Sequence, residues 1–388
     1  MTEVVIVGAT RTPMGKFLGR VSQFTATQLG AAAIKGLLEK TGVAADQIDE
    51  VMLGHVVQAG VGQAPARQAS IRGGVPASVP AVAINKVCGS GMKAIIAASQ
   101  AIRCGDAQAV IAGGMESMSN APYLAFGLRE GVKAGDQKLA DSMIHDGLWC
   151  AFEKHHMGLS AEYTAKKSGI TRRMQDELAL HSHQKALKAM ESGAFKDELI
   201  PLQASDGPIA VDETPRADSS LEKLGKLKPA FSADGTVTAG NAPGLNDGAS
   251  ALLLMSATKA KELGLKPLAK VAAYAVAGTE PIDLFYAPVH STRALLKKMN
   301  RKVSDFDLIE VNEAFAAQVL ADGKDLGWNW DRVNVHGGAI ALGHPIGCSG
   351  ARIVTTLVWA LRRHDKEWGL ATICMGGGNG LSLAVQRV

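Results

Sequence analysis

Apolar and polar positions divide the chain into three stretches. From residue 1 to about 118, short apolar runs at 4–7 and 109–112 predict strands, and longer segments with helical spacing at 26–39 and 92–103 predict helices. That alternation is the pattern of an α/β domain. From about 119 to 244 the chain turns polar and irregular. Its one strong amphipathic signal covers 171–192, opening on the capping hydroxyl of Thr171 and stopping at Gly193. From about 245 the α/β pattern resumes, with apolar segments at 270–276, 291–299, 306–311 and 370–375. The middle stretch therefore reads as an insertion.

The two α/β stretches echo each other. Cys88-Gly89-Ser90-Gly91 before one predicted helix returns as Gly347-Cys348-Ser349-Gly350 before another at 351–361, and Val110-Ile111-Ala112-Gly113-Gly114 returns as Ile373-Cys374-Met375-Gly376-Gly377. Both offsets are about 260 residues, which points to an internal duplication with a site between corresponding loops.

Composition narrows the function class. In 388 residues, 47% hydrophobic and 5% aromatic with 43 glycines, layers pack closely through small side chains rather than aromatic clusters. A net charge of +4 with no basic block argues against nucleic acid and leaves an anionic small molecule open. The five cysteines, Cys88, Cys104, Cys150, Cys348 and Cys374, form no CxxC pair and no zinc spacing, which suits a reducing compartment and no metal. No signal pattern precedes Val4 and no apolar run reaches the length of a membrane span, so the expected location is cytoplasmic.

Cys88 carries the first chemical suggestion. It lies where a β-prone stretch, Ala83-Ile84-Asn85-Lys86-Val87, meets glycines and a helix-prone stretch, a place where the backbone approaches a ligand closely and helix N–H groups favour a thiolate. A small buried cysteine under a turn is the competing reading. Three further segments look like site loops: Asn312-Glu313-Ala314-Phe315, the glycine-rich run from Gly337 through His344 to Gly347, and Cys374-Met375-Gly376-Gly377-Gly378. Taken singly, His344 reads as a structural histidine before proline, Cys374 as a core cysteine and Asn312 as a helix N-cap.

Together, in this order, the four segments resemble the signature of the thiolase family, over essentially the whole chain. The resemblance implies an α/β thiolase fold: two duplicated βαβαβαββ halves in a five-layer αβαβα arrangement with an inserted loop domain. The N-terminal half would be 1–118 completed by 245–267, the insertion 119–244 would bind CoA and make tetramer contacts, and the C-terminal half would be 268–388. It implies reversible Claisen condensation of two acetyl-CoA to acetoacetyl-CoA, with Cys88 as nucleophile and acyl carrier, and His344, an imidazole of near-neutral pKa, as its base. Cys374 would take the α-proton, Asn312 would hold a water that shares the enolate oxygen with His344, and Gly376 with the Cys88 N–H would form an oxyanion hole.

Leu148, His156, Met157, Arg216, Phe231, Ala239, Pro243, Leu245, Ala314 and Phe315 match CoA- or acyl-pocket positions, with Pro243 standing where serine is usual. CoA thioesters are then substrates, no cofactor is implied, and the expected assembly is a homotetramer with a hairpin near 128–139 in its contacts. His155-His156-Met157-Gly158 and Phe315 favour the acetoacetyl-CoA branch, whereas Pro281-Ile282-Asp283-Leu284-Phe285-Tyr286 departs from its usual glycine-containing segment. A broad-chain 3-ketoacyl-CoA thiolase is the near alternative. GxGxxA in Gly89–Ala94 also keeps a NAD-dependent dehydrogenase open, and a noncatalytic scaffold is a further reading.

Overall fold

The apolar run that opens the chain becomes strand β1, Val4–Arg11, buried at every residue, as expected of a strand covered on both faces. The computed structural model describes residues 2–388. Eight further strands complete the main sheet: β2 Glu50–Gly54, β3 Ala81–Ile84, β4 Ala109–Ser117, β5 Asn246–Ser256, β6 Ala269–Gly278, β7 Leu308–Val311, β8 Trp368–Met375 and β9 Asn379–Arg387. Their order is β7-β8-β9-β6-β1-β5-β4-β2-β3, with the short Gly15–Lys16 strand pairing off β5. The pairs β7/β8, β4/β2 and β2/β3 are parallel and the remainder antiparallel.

The duplication is visible in this order. β1-β5-β4-β2 and β6-β9-β8-β7 repeat one arrangement, and the first strand of each carries a β-bulge, between Ile6 and Gly8 and between Val271 and Ala273. The two sets join through only two residue pairs, Val5↔Lys270 and Ile6↔Ala269.

Helices stack on both faces. These are α1 Ala26–Thr41, α2 Pro65–Arg72, α3 Ser90–Cys104, α4 Met157–Ser168, α5 Arg172–Glu191, α6 Ala287–Met299, α7 Ala316–Leu326 and α8 Ile346–Arg363. α3 and α8 pack on each other between the two strand sets, in one apolar cluster that draws Ile95, Val110, Leu254, Leu357 and Leu383 from both halves. α1 and α2 cover the outer face of one set, and α6 covers that of the other. The result is five layers. Each fully buried Leu or Ile there contributes about 1.5–3 kcal/mol relative to exposure.

Glycine sets how closely the central helices cross. A Cβ on Gly91 would lie 2.7 Å from the Ala351 backbone nitrogen, and one on Gly350 would lie 2.5 Å from that of Met92. The helices therefore meet backbone to backbone at their N-terminal turns. That crossing brings the turn before α3, with Cys88, beside the loop before α8, with His344.

The inserted stretch is more ordered than its polarity suggests. The predicted 171–192 helix is α5, capped by the Thr171 side chain, but α4 was not legible. Its buried stripe consists largely of Gly158, Ser160, Ala161, Thr164 and Ala165, small residues that give a weak apolar period. The 291–299 segment begins earlier, at Ala287, because Pro288 is tolerated in a first helical turn. Among the described residues no helix is long and apolar enough to cross a membrane.

Candidate active site

Cys88 sits on a strained turn. Val87 is held at φ 46°, a left-handed conformation that a β-branched side chain rarely adopts. Three hydrogen bonds impose it: Val87 N–H to Asn85 Oδ1 at 3.0 Å, Lys86 N–H to Ser90 Oγ at 2.8 Å, and Ser90 Oγ–H to the Val87 carbonyl at 2.6 Å. The N-cap of α3 is Gly89, so Cys88 stands just ahead of the helix. Burial pushes the Cys88 thiol up to about 12, against the opposing pull of the Gly376 and Cys88 backbone N–H groups. The expected thiolate is thus a thiol, because desolvation outweighs the two donors.

His344 is held at three points. Its backbone N–H donates to Asn246 Oδ1 at 2.8 Å, its Nδ1 lies 2.5 Å from Ser349 Oγ, and its Nε2 lies 3.4 Å from Asn312 Nδ2. Ser349 Oγ also donates to the Pro345 carbonyl at 3.0 Å. With that proton spent, Ser349 accepts from Nδ1–H and leaves Nε2 as the free base. Burial, with the Arg352 charge adding to it, pushes the imidazole down to about 3. The expected near-neutral value is corrected accordingly: the ring is wholly enclosed and has no carboxylate to support a positive charge.

The loop after His344 is fixed by a buried acid. Glu116, fully buried on β4, accepts from the Gly347, Val56 and Val57 N–H groups and lies 3.2 Å from His55 Nε2. Glu116, Asn246 and Ser349 were not singled out in the sequence. An acid inside an otherwise apolar strand was the one available signal.

Cys374 lies on β8, almost fully buried, two residues beyond Thr372, whose carbonyl accepts the Asn312 N–H at 3.0 Å. Burial, then Cys88, then Asp322 push its thiol well above the ordinary range. Asn312 is not the N-cap of α7, which is Phe315; its side chain turns to His344, and its Oδ1 has no partner.

One cavity of ≈ 370 Å³ collects nearly all of these groups. Cys88, His344, Cys374 and Gly376 line it, as do Leu148, His156, Met157, Arg216, Phe231, Ala239, Pro243, Leu245, Ala314 and Phe315. Asn312 touches it through His344. One end is aromatic: His156 stacks on Phe231 at 4.8 Å, Phe231 meets Phe315 edge-on at 6.2 Å, and Phe315 meets Phe285 edge-on at 5.4 Å. His156 also caps α4, accepting the Gly158 N–H at 3.0 Å, and burial lowers its pKa.

Leu284 and Phe285, from the segment marked as unusual, form part of the wall and are almost wholly buried. Lys167 pins that segment to α4 by a 2.5 Å ion pair with Asp283, and Tyr286 bonds Ser168. At the other end Arg216 is exposed, with its backbone N–H on His183 Nδ1 at 3.2 Å. Among the described residues no three His, Cys, Asp or Glu side chains cluster as metal ligands.

The chain has counterparts among known proteins. The family model described as "Thiolase, N-terminal domain" matches residues 4–258, and "Thiolase, C-terminal domain" matches 265–387. Acetyl-CoA acetyltransferase of Pseudomonas aeruginosa is 55% identical over 100% of both chains, and that of Cupriavidus necator is 51% identical over 100% of both. The crystal structure of the Bacillus anthracis acetyl-CoA acetyltransferase superposes with a TM-score of 0.97 at 42% identity, covering 100% of this chain and 99% of that one.

Proposed function

The chain belongs to the thiolase family, and from that premise we propose that it is an acetyl-CoA acetyltransferase, joining two acetyl-CoA into acetoacetyl-CoA plus CoA and running the cleavage in reverse. The observation that carries this reading is the convergence of Cys88, His344, Cys374 and Gly376 on one cavity.

Cys88 Sγ attacks the thioester carbonyl of the first acetyl-CoA while His344 Nε2 takes the thiol proton. Because the free pair is thiol and neutral imidazole, this transfer accompanies attack rather than preceding it. The oxyanion sits between the Cys88 and Gly376 N–H groups, where one lost donor costs about 2.7–4 kcal/mol. The C–S bond to CoA then breaks, and CoA leaves with the proton of the Cys374 thiol, so Cys374 becomes a thiolate while His344 keeps the Cys88 proton on Nε2.

The Cys374 thiolate next takes the α-proton of a second acetyl-CoA. The carbanion attacks the acetyl-cysteine carbonyl, and Cys88 sulfur departs with its electron pair and regains a proton from His344 Nε2, which restores both thiols and the neutral imidazole. The enolate oxygen is met by Nε2–H of His344 and by a water held on Asn312. Ser349 serves both steps: its hydroxyl oxygen accepts from Nδ1–H both while Nε2 is the base and while Nε2 carries the proton.

CoA enters as substrate and no cofactor is invoked. Arg216 faces the CoA phosphates at the mouth, and Pro243, lacking an N–H, contributes only packing against the pantetheine arm. Gly91 serves the helix crossing and Gly89 the close approach of the Met375 side chain, so no dinucleotide turn is needed to explain them. Functionally the chain divides into 1–118 with 245–267, the CoA-binding insertion 119–244, and 268–388.

The exposed apolar side chains Tyr123, Phe126, Leu128 and Leu139, on and beyond the Tyr123–Ala125/Leu139–Asp141 hairpin, are the contact of a homotetramer. The location is cytoplasmic, in keeping with five unpaired cysteines. Leu284 and Phe285 beside Met157 and Phe315 shorten the acyl end, so acetyl is the group transferred.

Two measurements test this. Mass spectrometry after brief exposure to acetyl-CoA finds one acetyl group on Cys88. Steady-state thiolysis finds acetoacetyl-CoA preferred; a preference for eight or more carbons would overturn the acetyl reading in favour of a broad-chain 3-ketoacyl-CoA thiolase.

A further inference from the structure

α7 begins without a side-chain cap, because its N-cap is Phe315, whose ring faces the cavity. A substitute reaches back from inside the helix. Gln318 Oε1 accepts the Ala314 N–H at 3.1 Å, and Gln318 Nε2 donates to Asp322 Oδ2 at 2.6 Å. Gln318 and Asp322 are four apart on one face of the helix, and Ala314 lies just ahead of its first turn. Gln318 and Asp322 are both fully buried.

Asp322 Oδ1 has no partner. A carboxyl enclosed with one oxygen unsatisfied is costly, and an apolar side chain would fill the space at less expense. What the acid supplies that a leucine could not is an acceptor for the Gln318 amide. Without it, that N–H₂ is orphaned and free to rotate, and the Ala314 N–H, which also donates to the Asn312 carbonyl at 3.0 Å, loses its held side-chain acceptor.

The other end of the ladder lies at the chemistry. Ala314 is two residues from Asn312, whose Nδ2 is 3.4 Å from His344 Nε2. We propose that Asp322 is a positioning residue for the carbon–carbon step: through Gln318 it holds residues 312–315 so that Asn312 stays in register with His344. Burial pushes the carboxyl well above its ordinary range.

This inference rests on the thiolase reading above, and two half-reactions separate it from a plain stability effect. Acetyl exchange between acetyl-CoA and labelled CoA needs Cys88, His344 and Gly376. Thiolysis of acetoacetyl-CoA also needs the enolate site at Asn312. In Asp322→Leu the ratio of thiolysis to exchange falls about tenfold or more, and in Asp322→Asn, whose oxygen still accepts from Gln318, it returns to within about threefold of the parent.

Gln318→Met, which keeps the side-chain length and removes both hydrogen bonds, repeats the Leu result and carries the test if Asp322→Leu is insoluble. Equal losses in both half-reactions, no loss in either, or an Asn variant as impaired as Leu would each overturn the proposal. Absence of exchange in the unaltered protein would instead overturn the thiolase reading.

Discussion

Replacing Phe285 by alanine tests whether the end wall of the cavity sets the acyl length. The ring is 2% exposed and meets Phe315 edge-on at 5.4 Å. Truncation removes an aromatic pair worth about 0.5–1.5 kcal/mol and costs the fold about 3–5 kcal/mol overall. It also opens space beside Leu284 and Met157. Thiolysis of 3-oxohexanoyl-CoA leaves a butyryl group on Cys88, two methylenes longer than acetyl. At about 0.8 kcal/mol for each methylene removed from water, the variant favours the longer substrate by about 1.6 kcal/mol, roughly fifteenfold. The assay is kcat/KM for 3-oxohexanoyl-CoA divided by that for acetoacetyl-CoA, parent against variant, with thermal unfolding as a check on integrity. A ratio within twofold of the parent, in a cooperatively folded variant, refutes the reasoning.

Ser349→Ala leaves His344 Nδ1–H without an acceptor, a loss of about 1–3 kcal/mol that lowers kcat for exchange and thiolysis alike by roughly five- to 150-fold; an unchanged kcat shows that Ser349 does not set the tautomer. His344 is held down to about 3, so kcat/KM for Cys88 acetylation shows no acid limb near pH 6.5, the ordinary histidine value; a midpoint between pH 6 and 7 contradicts this. The same shift makes neutral His344 a source of stability that is complete above about pH 6.5 and lost as pH falls toward 3, since the unfolded chain takes up the proton first; substituting His344 by Phe removes that contribution from the pH dependence of the urea midpoint. Gly350→Ala places a methyl 2.5 Å from the Met92 nitrogen and forces α3 and α8 apart, costing about 3 kcal/mol in thermal unfolding and slowing Cys88 acetylation; a neutral effect on both shows that the crossing yields.

Much of the fold was legible because burial leaves a periodic trace. The strands at 4–11 and 109–117 announce themselves as apolar runs, and α5 by its cap and stop. α4 left little trace, since Ser160, Ala161, Thr164 and Ala165 are buried by close approach rather than by hydrophobic bulk. Within the site, Cys88, His344 and Cys374 stood out by residue type beside glycine, and Asn312 by its place after a predicted strand. Ser349, Asn246 and Glu116 did not, because they act by where their side chains point.

The order of residues thus determined two repeated α/β halves, an insertion between them, and an inventory of two thiols and an imidazole on glycine-rich loops. Tertiary structure decided how those groups are poised. Cys88 is a thiol and His344 a neutral base because both are enclosed, and enclosure belongs to the whole packing rather than to neighbours in the chain. Packing likewise turned Phe285 toward the cavity and Asp322 toward its supports, since residues 89 and 52 positions before Cys374 meet it only when the layers close.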